Sequence, residues 1–425
     1  MISPAPVDRS LVPPALVDVD LEPLAEQFET PLFVYDEDEL RRRCAQYREV
    51  FGDDGVVYAG KAFLCTEMAR LVAEEGLHLD VATGGELHVA QTAGFPSARL
   101  VQHGNNKSDD ELRAGLDAGV GRIVADSFDE LDRLEHLARD AAEPPTVLVR
   151  VTPGVEAHTH EYIETGTEDS KFGFTVAAGI ALAAARRVTT SPVLRFGGLH
   201  CHIGSQIERL DPWGLAIAAL ARVAADLDVA VPELNVGGGL GARYLAEDPV
   251  LDVTEYAATL RRAVADSWAE IGEPPRLLVE PGRSIVAPCA ITLYRVGTVK
   301  EVPGIGTFVA VDGGMSDNPR PSLYGAGYEA YLPARMAAER PLQCRVVGKH
   351  CEQGDVIVAN ACLPEGVRRG DLLATPTTGA YGYSMASNYN KVPRPAVVFL
   401  RGGTPRLVVR RETPADLVRL DLVGD

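Results

Sequence analysis

No Lys- or Arg-rich run occurs in the sequence, and the formal net charge is −19, so neither nucleic acid nor an anionic membrane surface is an expected partner. Long apolar stretches are missing too. The most extended one, near residues 175–185, is too short to cross a bilayer and ends at Arg186-Arg187. Prolines and acids interrupt the N-terminal segment, which offers no apolar run of signal-peptide type, so none is expected. The seven cysteines are an odd number without paired spacing, which suits reduced thiols and a cytoplasmic location. Internal repeats of fixed short period and low-complexity tracts are also absent. What remains is an ordinary soluble composition, 46% hydrophobic and 24% charged, in which the acidity serves solubility. At 425 residues the chain exceeds one ordinary core, and two domains are expected.

Residues 1–29 are Pro-rich and acidic and read as a mobile arm. Thr30–Tyr35 reads as a strand, followed by a charged helix through Glu49. Apolar, strand-like runs then recur at 55–62, 77–83, 99–104, 122–126, 146–152, 196–203, 233–237 and 276–280. Between them lie amphipathic stretches such as Thr66–Glu75, Asp109–Ala118 and Phe128–Ala141, and longer ones over 174–187, 213–227 and 254–271. Eight strands alternating with helices point to an α/β fold with a (β/α)8 TIM-like barrel over 36–285; a doubly wound open sheet is the alternative. Beyond residue 286 the runs Ile291–Val299, Thr307–Val311, Gln343–Val347, Asp355–Ala359, Ala396–Leu400 and Leu407–Arg411 lack barrel-length helices between them. Residues 286–425 therefore read as a mostly β domain, a sandwich or barrel, which residues 1–35 join through the strand near Phe33.

The polar residues favour the barrel, because they fall at the C-terminal ends of its strands, where barrel enzymes assemble their sites. They are Lys61, Asp80 with Thr83, His103 with Asn105, Asp126, Arg150, and His200, His202 and Ser205, then Gly237–Gly239 and Glu280 with Arg283. A lysine ending the buried strand Val57–Leu64 is costly to desolvate unless its amine is used, as in a Schiff base; the alternative is a side chain snorkelling to solvent. The run Asn235-Val-Gly-Gly-Gly-Leu-Gly241 follows a strand, and its backbone N–H groups could cradle a phosphate, or the glycines could simply make a tight turn. Glu280-Pro-Gly-Arg283 places a carboxylate fit for a protonated ring nitrogen beside a cation fit for an anion; the competing reading is a surface ion pair. His200-Cys-His202 sets two imidazoles on one face of a strand, as zinc would require, and His158-Thr-His160 could add two more, so a metal-dependent hydrolase competes. Cys351, between His350 and Glu352, stands before a glycine turn. In the turn-rich loop Asp312–Asn318, followed by Arg320 and Tyr324, a cation and a phenol suit a substrate carboxylate or a solvated loop.

One family contains these pieces in this order. The chain resembles the fold-type III (alanine-racemase/ornithine-decarboxylase-like) pyridoxal-phosphate decarboxylases, most closely the bacterial diaminopimelate decarboxylases, from about Thr30 to about Glu412. The resemblance rests on YAGKAF, DVATGGEL, HGNNKS, HTHEYIETG, KFGF, GLHCHIGSQI, NVGGGLG, EPGR, DGGMSDN, GKHCEQGD and GAYGYS. It implies pyridoxal 5'-phosphate held covalently by Lys61 and contacted by Asp80, with His202 stacked on the ring and Glu280 keeping the ring nitrogen protonated. Ser205, the Gly238 and Gly239 amides, Gly282, Arg283 and Tyr381 would hold the phosphate. Arg320 and Tyr324, with Arg283 and Tyr381, would grip the distal carboxylate of meso-diaminopimelate, and Glu352 its distal amine. Cys351, a proton donor, and Glu352 would come from the partner subunit of a homodimer whose active site lies at the subunit interface. L-Lysine would be the product, and no metal is implied. Gln353 departs from the serine usual in the family, and Thr83 and Gly60 are smaller variations. A decarboxylase of another amino acid and a non-catalytic pyridoxal-phosphate carrier are the related alternatives; the carrier type lacks the β domain.

Overall fold

The computed structural model describes residues 5–155 and 170–422. The chain divides into two compact units: Arg43–Gly241 with Leu251–Gly282, and Met1–Arg42 with Ala242–Val250 and Arg283–Asp425. Strand β1 (Leu32–Asp36) belongs to the second. The first contains β2 (Val57–Ala59), β3 (His78–Val81), β4 (Leu100–Gln102), β5 (Arg122–Ala125) and β6 (Thr146–Thr152), then β7 (Phe174–Thr175), β8 (Arg195–His200), β9 (Glu233–Asn235) and β10 (Arg276–Leu278).

Eight of these strands run parallel in the order β10-β9-β8-β6-β5-β4-β3-β2, with β7 pairing β6 off that path. The sheet closes on itself. Val56 bridges Val279 in parallel, and the Val57 and Ala59 amides donate to Val279 O at 2.9 Å and Pro281 O at 3.1 Å. The expected (β/α)8 barrel is therefore present. Val57, Val101, Val124, Leu148 and Leu278 form one buried cluster of the barrel, consistent with strands that are apolar throughout because both faces are covered.

Helix starts follow local chemistry. Ser108 and Glu111 form a reciprocal capping box on the helix Asp109–Ala118, which stops at Gly119 with φ of 67°. One boundary moves: the helix expected over 174–187 spans Ile180–Thr190. Phe174–Thr175 is strand instead, paired with Val151 and Thr152 of β6, and the left-handed backbone of Gly179 separates the two.

In the second unit β11 (Ala290–Val302), β12 (Gly306–Val311), β13 (Leu342–Val347), β14 (Val356–Leu363), β15 (Leu372–Pro376), β16 (Ala396–Arg401) and β17 (Thr404–Val409) join β1. The order is β14-β13-β12-β11-β1-β16-β17, with β15 on β11. Strand β1 lies in the interior of this sheet, antiparallel to β11 and parallel to β16. Strand β15 was not among the expected runs.

The N-terminal segment does not behave as a mobile arm over its described residues. Val7, Val12, Leu16, Leu21 and Leu24 are buried in one cluster with Val34, Ile291, Leu293 and Val398. Its prolines punctuate the chain into short turns that still present apolar side chains inward, at Arg9–Leu11, Pro14–Leu16 and Glu22–Phe28.

Candidate active site

Lys61 sits in the single turn Gly60–Ala62 directly after β2. Its residue is exposed, which corrects the expectation of a desolvated lysine: the amine is accessible at the rim of the barrel. Neighbouring strand ends crowd its turn. A side chain on Gly60 would approach Asp80 O to 2.6 Å, and one on Gly282 would come within 3.0 Å of the Ala59 and Ala62 Cβ atoms. These two glycines let the Lys61 turn lie against the ends of β3 and β10.

Glu280, two residues past β10, is a buried carboxylate approached by side chains from three other strand ends. Oε1 accepts from Asn235 Nδ2 at 2.8 Å and lies 2.9 Å from His103 Nε2, a close ion pair rather than a well-aligned hydrogen bond. Oε2 is 3.2 Å from His200 Nε2. Burial pushes the Glu280 carboxyl up, but His103 and His200 outweigh it and hold it well below the usual range. The Asp80 carboxyl is raised by burial against the pull of His103.

The two histidines of Glu280 differ. His200 is driven down to about 4 by burial and is therefore neutral. His103 is raised, because Asp80 and Glu280 overcome the effect of burial. Their rings meet edge-to-face with centroids 5.0 Å apart.

His202, past the end of β8, accepts the Gly238 amide at Nδ1 at 3.3 Å. Burial, then the nearby Lys61 and Arg150 cations, keep its imidazole neutral. Gly237 and Gly239 have φ of 68° and 111°, and a side chain on Gly238 would meet Glu280 O at 2.2 Å. This loop requires glycine at Gly238 for close approach and at its two neighbours for backbone conformation. Half-buried Ser205 lies in the adjoining turn.

Among the described residues the two imidazoles of the competing zinc reading, His200 and His202, do not converge: the donor atoms that do are those of His103, His200 and Glu280, within 4.8 Å of one another, while His202 turns to the glycine loop. His158 and His160 lie outside the described residues.

The second unit gathers another cluster. Arg283 donates to Tyr244 Oη at 2.8 Å and lies 4.8 Å over the Tyr381 ring. Arg320 lies 4.4 Å over the Tyr244 ring and donates to Tyr328 Oη. Among the described residues Arg320 pairs with no carboxylate. Burial opposes its charge, but the Tyr244 and Tyr328 phenols outweigh that and raise it. Burial pushes the Tyr244 phenol up, yet Arg283 and Arg320 pull it below its ordinary value. Tyr381 adopts a left-handed φ of 57°, a strained state for an aromatic residue. Tyr324 ends the short helix begun by Arg320.

Elsewhere in this unit Cys351 is exposed and free, its amide donating to Asn390 Oδ1 at 3.2 Å, and Glu352 accepts from Tyr389 Oη. Sequence reasoning singled out neither Asn235, Tyr244 nor Tyr328. No spacing rule links them to Glu280, Arg283 or Arg320, and only the folded units do.

A barrel with an accessible lysine, a glycine loop and a buried, donor-ringed carboxylate on consecutive strand ends defines a class of cofactor-dependent enzyme. The sequence model described as "Pyridoxal-dependent decarboxylase, pyridoxal binding domain" matches residues 37–287, and the chain belongs to that family. Within it, the chain is 49% identical over 421 residues to a diaminopimelate decarboxylase of Mycobacterium bovis, covering 96% of this chain and 94% of that protein. It is 48% identical to that of Bacillus subtilis, covering 95% and 94%. Among solved structures, diaminopimelate decarboxylase of Helicobacter pylori complexed with L-lysine superposes with a TM-score of 0.87 at 32% identity, covering 95% of this chain and 99% of that one. The M. jannaschii enzyme in co-complex with L-lysine gives 0.89 at 33%, covering 95% of each.

Proposed function

We propose that the protein decarboxylates meso-diaminopimelate to L-lysine and CO2, the last step of lysine biosynthesis, using pyridoxal 5'-phosphate. It is a carbon–carbon lyase of the amino-acid decarboxylase type. The observation that carries the reading is Glu280. Asn235 Nδ2 and His200 Nε2 donate to its carboxylate and His103 Nε2 pairs with it at 2.9 Å. A carboxylate has about four acceptor positions, so acceptor capacity remains for a pyridinium N–H.

Bound there, the cofactor supplies a conjugated ring that takes up the electron pair left when CO2 departs. The protein's residues hold and orient. Lys61 offers its accessible amine to the cofactor aldehyde, next to Asp80. His202, fixed by the Gly238 amide, is assigned to the ring face. Ser205, Gly238, Gly239 and Gly282, with Arg283 and Tyr381, are assigned to the phosphate. Arg320, buried among phenols, is ready for an anion, and with Tyr324, Arg283 and Tyr381 it is assigned to the distal carboxylate. Glu352 is assigned to the distal amine, and the Cys351 thiol to protonation of the carbon that loses CO2. Both are exposed, which suits contribution from the partner subunit of a homodimer. We assign residues 36–285 to the pyridoxal-phosphate-binding domain and 286–425, with 1–35, to the β domain. No helix among the described residues is long and apolar enough to cross a membrane, and we place the enzyme in the cytoplasm.

Incubating the protein with meso-diaminopimelate and pyridoxal phosphate is expected to yield L-lysine and CO2. Ornithine and lysine, which lack a distal carboxylate, should be poor substrates by kcat/KM. Lys61→Ala should lose roughly 10⁴-fold or more in kcat, as expected when a group central to the chemistry is removed. Lysine formation by that variant at the parental rate would defeat the assignment.

A further inference from the structure

The barrel core contains one imidazole pair that the assignments above leave without a role. His103 follows β4 and His200 ends β8, and both are buried, as is the carboxylate they flank. The His103 amide donates to Val81 O at 2.8 Å, which ties its backbone to the strand that carries Asp80. Asn235, fully buried, occupies Glu280 Oε1 with its Nδ2 and accepts the Gly237 amide at its Oδ1 at 2.9 Å. The glycine loop and the carboxylate are thus set by the same side chain.

Among the described residues His200 Nδ1 has no hydrogen-bond partner, although it is buried. A neutral imidazole has one donor and one acceptor nitrogen. His200 must therefore present Nε2–H to Glu280 Oε2 and leave the unpartnered Nδ1 as the acceptor. Such an imidazole gives the carboxylate a hydrogen bond but no charge. The compensating charge must come from elsewhere, and His103 Nε2, 2.9 Å from Oε1, is the cationic candidate in direct contact with the carboxylate. The charged and titratable groups that act on His103 are Asp80 on β3, Glu86 in the helix Gly84–Thr92, Arg150 on β6, His200 and Glu280. Three carboxylates against one guanidinium favour a proton on His103.

We propose that His103 and His200 are positioning residues for the cofactor. His103 is an imidazolium and His200 a neutral Nε2–H donor, and together they keep Glu280 ionised and aimed, with acceptor capacity left open to the pyridinium N–H. This division of labour rests on the assignment of pyridoxal phosphate to this barrel. Its consequence is specific: the two histidines act only through the ring nitrogen, so their removal matters only for a cofactor that has one.

The test compares pyridoxal phosphate with its carbocyclic analogue, in which C–H replaces the ring nitrogen, by dissociation constant on the cofactor-free protein. For His103→Gln the dissociation constant of pyridoxal phosphate should rise roughly tenfold, the loss of one charge-assisted interaction, while that of the analogue stays unchanged. His200→Gln should show the same selectivity with a smaller rise. Equal weakening for both compounds, or no change for either, would overturn the proposal in favour of a merely structural role. Failure of the unsubstituted protein to bind pyridoxal phosphate would instead remove the functional assignment beneath it. An independent arm needs no variant and no cofactor: nitrogen NMR of the histidine-labelled protein, titrated upward in pH, should show one imidazolium that outlasts the others. A titration in which none outlasts the others overturns the assignment of the proton to His103.

Discussion

In the barrel, the buried Glu280 carboxylate is ringed by Asn235, His103 and His200, so its charge is matched by groups on three other strand ends. In the second unit the buried Arg320 guanidinium lies among phenols, those of Tyr244 and Tyr328, and pairs with no carboxylate among the described residues. The first cluster compensates the charge of its anion and still leaves acceptor capacity on the carboxylate. The second is a cation held by groups that are weak counter-ions until a phenol gives up its proton. A charge that is buried without an opposite charge is expensive, and such a cost is tolerated where a ligand supplies the missing partner. The contrast separates a fixed electrostatic scaffold from a surface that awaits an anion.

Substitutions can break that contrast. The largest expected effect is at Arg320. Arg320→Met should lower kcat/KM for meso-diaminopimelate by about 100-fold, the worth of a charge-assisted, two-point contact. Its midpoint of thermal unfolding should stay level or rise, because an uncompensated buried cation is removed. A clear fall in that midpoint would mean that the phenols stabilise the guanidinium fully, and the two clusters would then be alike.

Next is the pH dependence of stability from His200. Its folded value, near 4, lies below the ordinary one for a free imidazole, so the unfolded chain binds the proton more readily than the native protein. Stability from this group is intact above about pH 6.5 and drains away as pH falls toward 4, by up to about 3 kcal/mol. Unfolding titrations between those limits should show a shallower decline for His200→Gln than for the parent. An unchanged slope would mean that His200 is not the neutral member of the Glu280 cluster. The smallest effect is expected for Tyr328→Phe, which deletes one hydroxyl from Arg320 and should raise KM by several-fold, about 1 kcal/mol, with kcat nearly unaltered. Steady-state kinetics at saturating cofactor separates the two parameters.

The barrel strands were legible because buried parallel strands read as short apolar runs and amphipathic helices separate them at regular intervals. Each expected run contains or overlaps the observed strand, as at 122–126 for Arg122–Ala125. Strand β15 escaped because Leu-Leu-Ala-Thr-Pro ends in residues that read as a turn, though all five are buried on the way along β11. Composition misled at the N-terminus: prolines and acids suggested an unpacked arm, while Leu11 and Leu16 are buried to within a few per cent. At the site, the side chains assigned to the cofactor left local signals, a lysine ending a strand or a glycine run. Those acting through another residue did not. Asn235, Tyr244 and Tyr328 acquire their partners only when distant segments come together, as Arg320 does with Tyr244 across a long stretch of intervening chain.

Strand β1 has a further consequence, for synthesis on the ribosome. Leu32 is made long before its neighbours in the sheet, Leu293 and Ala396. The barrel has all its strands once Leu278 has emerged, so it can close while the second sheet is still incomplete. Through that interval the apolar N-terminal segment waits without its final partners, exposed to chaperones and to other nascent chains. A ribosome that stops before Ala396 releases a chain whose opening strand still lacks one of its neighbours.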